Sequence, residues 1–254
     1  SEFYADFGRY EVHLTLPSDF VVGATGVETG HAVQGKTTTY SFAQDRVVDF
    51  AWNASPRFVR EERHFRMQDW VSQAELRGEA ELHGISPDDA RLPETRMILL
   101  LQPEHRAHAD RYFHALAMAI KYFGLWYGPY PYPTITLVDP AWEAGGSGGM
   151  EYPTFITTGA ERLDEFAPFS WSNDIEVVTV HEFGHQYFQG MLASNEFEEP
   201  WLDEGVNSYA EILCMSDIAD DNLVPEMRTF SSWGGERAFL ATQTVPLTIA
   251  RKAW

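Results

Sequence analysis

The stretch His181-Glu182-Phe183-Gly184-His185, answered after eighteen residues by Glu204 in Trp201-Leu202-Asp203-Glu204-Gly205, decides how this chain is read. On an α-helix, residues four apart share a face. Both imidazoles can therefore reach one cation, while Glu182, one step round, points at the coordination position they leave open. Ile175, Val177, Val178 and Val180 precede the motif, as in a helix buried around a site. The eighteen-residue interval allows a loop and a return on an antiparallel helix, which brings Glu204 to the same ion. Two histidines and a glutamate make a three-ligand zinc site of the catalytic kind, open to water or substrate at its fourth position. Glu211, seven residues beyond Glu204 on the same predicted face, is placed to accept the free ring N–H of a ligand histidine. The competing readings are a solvent-facing helix with two incidental histidines and, for Glu211, a solvated charge.

The composition around this motif narrows the function classes. The 254 residues are 44% hydrophobic and 14% aromatic, ample for a buried core. Cys214 is the single cysteine, which excludes an intrachain disulfide framework and a cysteine-based zinc cluster. A formal charge of −20 argues against nucleic acid or an anionic membrane as partner and favours cationic ligands. The nearest approach to a membrane span, residues 112–127, is interrupted by His114 and Lys121.

Outward from the motif, the predicted class is α+β. Residues 10 to about 82 read as strands, with alternation over 10–16 and further extended runs at 20–27, 37–42 and 47–52. Gly84-Ile85-Ser86-Pro87-Asp88-Asp89 is the expected boundary, dividing a β-rich portion, 1–86, from a helix-dominated one, 87–254. A helix is expected over about 103–123, ended by Gly124 and Gly128, then strands at 134–138 and 152–157 joined by Gly145-Gly146-Ser147-Gly148-Gly149. Helices are expected over about 172–189 and 201–218. His105, His108 and His114 fall on the first helix with no fitting carboxylate and read as surface or packing residues.

At these residues the sequence resembles the M1 family of zinc metallopeptidases (gluzincins), which includes aminopeptidase N and the leukotriene hydrolases. That family's signature is H-E-x-x-H, eighteen residues, then Glu. Its upstream G-x-M-E-N motif is matched at four of five letters by Gly148-Gly149-Met150-Glu151-Tyr152, with Tyr152 where the family has Asn. The resemblance implies that 1–86 is the latter part of a β-rich amino-terminal domain and 87–254 the incomplete first part of a thermolysin-like catalytic domain. It implies one Zn2+ per chain on His181, His185 and Glu204, with Glu182 as general base. It implies a peptide substrate lying along Gly148, Gly149, Met150 and Glu151, its α-amino group on Glu151, and hydrolysis of the first peptide bond.

The family's transition-state tyrosine lies farther beyond the third ligand than the fifty residues left here, and Tyr209 is too near to be it. The amine-binding Gln or Glu of the first domain falls upstream of Ser1. The chain is therefore expected to be a piece of a longer enzyme. The ligand set leaves open a zinc endopeptidase or bifunctional hydrolase on the same scaffold. It also leaves open a non-catalytic peptide-binding protein that keeps zinc for stability.

Overall fold

The computed structural model describes residues 4–141, 144, 148–158 and 174–220. The expected features at 145–147, the expected helix start at 172 and all beyond 220 lie outside the described residues.

In Gly8–Pro17 (β1), half-buried Tyr10, Val12, Leu14 and Leu16 alternate with exposed Arg9, Glu11, His13 and Thr15, the period of a strand with one wet face. Val21–Ala24 (β2), Val27–Gln34 (β3), Thr37–Val47 (β4) and Trp52–Ser55 (β5) follow. β4 lies between β1 and β3 in an antiparallel sheet, and β2 pairs with β5 in a second one. Two expectations change here. The run 20–27 is broken at Gly26, and the strand expected at 47–52 is a crossing between sheets. Val47 closes β4 and Val48 is buried just beyond it, so the apolar run continues past the end of the pairing.

A four-stranded sheet supports the rest. Val59–Phe65 (β6) pairs antiparallel with Thr95–Leu101 (β7), and Thr134–Val138 (β8) and Phe155–Thr157 (β9) add in parallel, in the order β6-β7-β8-β9. β7 and β8 are buried almost without interruption, hence their continuous apolar sequences. Met97, Leu99 and Leu101 join the main core, while Leu100 packs with Phe58, Val138 and Phe155 on the other face.

Between β6 and β7, where strands were expected to about residue 82, the chain forms helices Met67–Trp70 (α1) and Gln73–His83 (α2). The reason is local. Ser72 accepts from the Glu75 amide at 3.1 Å, and the Glu75 carboxylate takes the Ser72 amide at 3.3 Å, a reciprocal cap ahead of good helix formers. The expected boundary at 86–87 falls in the turn after α2, and the sheet continues across it, since β6 precedes it and β7 follows.

Pro103–His108 is a 3₁₀ turn leading into Ala109–Tyr127 (α3), so the helix expected to end at Gly124 runs to Tyr127. The histidine expectation also changes. His105 and Asp139 are both buried, and His105 Nδ1 lies 2.7 Å from Asp139 Oδ2, tying the start of α3 to the end of β8. α3 packs beside β7 and against Asp174–His185 (α4) and Val206–Asp220 (α5), with Phe123 meeting Phe183 edge-on at 6.1 Å. Among the described residues no helix is long and apolar enough to cross a membrane.

Candidate metal centre

α4 carries His181 and His185 one turn apart, with their Nε2 atoms 3.1 Å from each other. The third arm is a π-helical turn, Trp201–Gly205, where the sequence predicted ordinary helix. Glu204 Oε2 lies 3.3 Å from His181 Nε2 and 3.8 Å from His185 Nε2. A tetrahedral ion bound at about 2.0–2.1 Å holds its donors roughly 3.3–3.4 Å apart, so these three atoms have the spacing and chemistry to share one metal. With carboxylate and imidazole as donors and no thiolate, they suit a borderline ion.

Each histidine is also held from behind. His181 Nδ1 lies 2.8 Å from Glu211 Oε2, and the His181 carbonyl accepts from Asn207 Nδ2 at 2.8 Å. His185 Nδ1 donates to Asp203 Oδ1, and both side chains are buried. These contacts fix the tautomer that turns each Nε2 lone pair toward the shared point. Asp203 was not singled out from sequence. Its only signal was a second acid beside Glu204, and the π-helical turn is what lets neighbouring carboxylates both address His185.

Charge in the metal-free centre is redistributed accordingly. Burial opposes ionisation of His181, but hydrogen bonds to Glu204 and Glu211 outweigh it and raise the ring to about 10. Burial likewise opposes charge on His185, and Asp203 overcomes it and raises the pKa. Glu204 is held below its ordinary value by the His181 hydrogen bond, against its own desolvation. Glu182, 5% exposed, is pushed up to about 8 by burial, against the pull of the two histidines.

The segment 148–151 sits directly beside Glu182. At Gly149, φ is +69°, and a β-carbon there would lie 3.0 Å from Glu182 Oε1, so glycine serves both the left-handed conformation and the close approach. Met150 bridges antiparallel to Thr157, with the Thr157 amide 2.8 Å from the Met150 carbonyl. Gln186, the residue after His185, locks the loop to the motif. Its Nε2 donates to the Glu151 carbonyl at 3.0 Å and the Tyr152 carbonyl at 3.2 Å, and its Oε1 accepts from the Thr154 amide at 2.7 Å. Gln186 gave no signal in the sequence, where it is one polar residue in an amphipathic helix. Burial and the charges of Asp203 and Glu204 raise the Glu151 carboxyl, which His185 partly offsets.

The sequence singled out His181, Glu182, His185, Glu204, Glu211 and Gly148 to Glu151; the fold sets donor atoms of His181, His185 and Glu204 within 4.8 Å of one another, Glu211 behind His181, and Gly149 beside Glu182. It adds Asp203, Gln186 and Asn207. Residues 110–241, just over half the chain, match the sequence model of the Peptidase family M1 domain. The chain is also similar to "Aminopeptidase 2" of Candida albicans, at 26% identity over 156 residues, covering 60% of this chain and 16% of that protein. It resembles "Aminopeptidase M1" of Arabidopsis thaliana at 24% identity over 106 residues, covering 41% of this chain and 12% of that protein. The matched stretch thus spans less than a fifth of either relative's length.

Proposed function

The chain belongs to peptidase family M1, and from that membership we propose that the protein is a zinc-dependent aminopeptidase, hydrolysing the first peptide bond of peptides with a free N-terminus. The observation that supports it most directly is the convergence of His181, His185 and Glu204, all donor atoms within 4.8 Å, beside the Glu182 carboxylate and the 148–151 segment. His181, His185 and Glu204 would hold the zinc. When bound, it supplies Lewis acidity at the scissile carbonyl and lowers the pKa of the attacking water.

The chain's own residues do the rest. Glu182 takes the proton of the attacking water and later passes it to the leaving amine. Its metal-free value of about 8 reflects an uncompensated buried charge, and a dication beside it favours the carboxylate a base requires. Glu211 and Asp203 keep the two ligand rings oriented through the cycle. Glu151 receives the ammonium of the substrate, selecting for a chain end over a continuing chain.

The test is Glu182→Gln in the full-length protein. It removes the base and spares the ligands, so the variant should bind one zinc per chain and lose turnover by about 10²-fold or more. Wild-type turnover in that variant would end the assignment of the base. Cleavage of N-acetylated and free peptides at equal rates by the wild type would instead favour an endopeptidase on the same centre.

A further inference from the structure

The turn that follows Glu151 is held in a conformation its own sequence disfavours. The Phe155 amide donates to the Tyr152 carbonyl at 2.9 Å, closing a β-turn with Pro153 second and Thr154 third. Proline suits the second place. At the third, φ is +57°, where glycine or asparagine is usual and a β-branched side chain is strained. Such strain persists only where the surrounding contacts over-determine it, and it gathers at functional sites.

Thr154 is wholly buried and gripped on three sides. The Gly26 amide donates to its Oγ1 at 2.7 Å, and the Thr136 amide donates to its carbonyl at 2.9 Å. The third grip is its own amide, which donates to Gln186 Oε1 at 2.7 Å. Gln186 differs from the other two in reaching both limbs of the turn, because its Nε2 also donates to the Glu151 and Tyr152 carbonyls. A primary amide carries two N–H donors and a carbonyl acceptor, so one buried side chain meets all three backbone groups. Gln186 also follows directly on the candidate metal ligand His185.

Resting on the aminopeptidase reading, we propose that Gln186 is the positioning residue for Glu151. By clamping the strained turn at Thr154 it fixes where the Glu151 carboxylate stands relative to His185. The path between the two is short, one peptide link from His185 to Gln186 and one hydrogen bond from Gln186 to the Glu151 carbonyl. On that reading, the spacing of Glu151 from the metal decides which peptide bond lies at the reacting centre when a chain end is held. Gln186 acts through Glu151, so loosening it weakens the hold on a free N-terminus more than it slows the chemistry.

The experiment uses the full-length, zinc-loaded protein with tetra-alanine and N-acetyl-tetra-alanine as substrates. Gln186→Met is close to the glutamine in length but has no amide. It should raise KM for tetra-alanine about 10-fold or more with a much smaller change in kcat, narrow the preference for the free over the acetylated peptide, and leave zinc at one per chain. Gln186→Asn, one methylene short of its partners, should show the same changes to a smaller degree, and is read in place of Gln186→Met where that variant does not fold. Adding Thr154→Gly to either variant should recover part of the lost KM, because glycine takes the positive φ without strain and needs no clamp.

Unchanged KM and preference in the Gln186 variants would overturn the proposal. So would an equal fall in turnover on both substrates with the preference intact, which marks a packing role, and so would loss of zinc, which marks a role at the metal. Absence of any recovery on adding Thr154→Gly would overturn the clamp. If the wild type cleaves both substrates alike, the aminopeptidase reading falls and takes the positioning role with it. If the wild type discriminates, and Glu151→Gln erases the discrimination while the Gln186 variants keep it in full, the positioning role alone falls.

Discussion

At pH 8 the His181 ring of the metal-free protein is a cation, held at about 10 between Glu204 and Glu211, whereas a metal takes only its neutral form. The raised value means that these ion pairs stabilise the metal-free fold fully below the ordinary imidazole value of 6.5 and cease to do so as pH rises through about 10. Zinc affinity runs the other way, rising with pH over that window. Binding at pH 8 should release about one proton or more per ion, measured by calorimetry in two buffers of different ionisation enthalpy. Binding without proton release would show that His181 is already neutral. The candidate ligand pair was legible at this scale, because His181 and His185 are related by a helical period that needs no knowledge of the fold. Asp203 was not, because an acid's role depends on which group the fold brings against it, here the His185 ring.

At the scale of elements, α4 and α5 meet through an exchange of volume. A β-carbon on Gly184 would lie 2.0 Å from Asn207 Oδ1 and 2.7 Å from the Phe123 ring, so the missing side chain is what lets α5 reach the His181 carbonyl. Gly184→Ala should cost about 1–3 kcal/mol of stability in chemical denaturation. Adding Asn207→Ala should recover part of that cost, a coupling a double-mutant cycle would detect. Strict additivity of the two changes would refute the contact. The π-helical turn ahead of α5 belongs here too. Its sequence reads as helix, and only packing against α4 selects the wider turn that presents Asp203 and Glu204 together. The capping box of α2 is the opposite case. Ser72 and Glu75, three residues apart, specify that helix start with no help from packing.

For the whole molecule, the candidate metal donors come from two segments that no described sheet joins, α4 and the turn before α5, so an ion bound by all three would crosslink them. Zinc at about 1,000 times its Kd should stabilise the folded protein by roughly 4 kcal/mol, seen as a higher Tm that a chelator reverses. Glu204→Ala should remove most of that difference. A Tm indifferent to zinc would mean that the three donors do not bind it together. The four-stranded sheet and α3 form the platform on which these segments rest, with Phe123, Phe183 and Tyr130 packed between them.

By itself the sequence determined the α+β class and marked His181, Glu182, His185 and Glu204 as a candidate site, because periodicity and spacing are properties of neighbours along the chain. Tertiary structure alone decided that β6 joins the sheet of β7 across the turn at 86–87, that His105 pairs with Asp139, and that Gln186 clamps the backbone of Glu151, Tyr152 and Thr154. These are contacts between residues far apart in sequence, and their strength comes from burial, which exists only once the chain has closed around them.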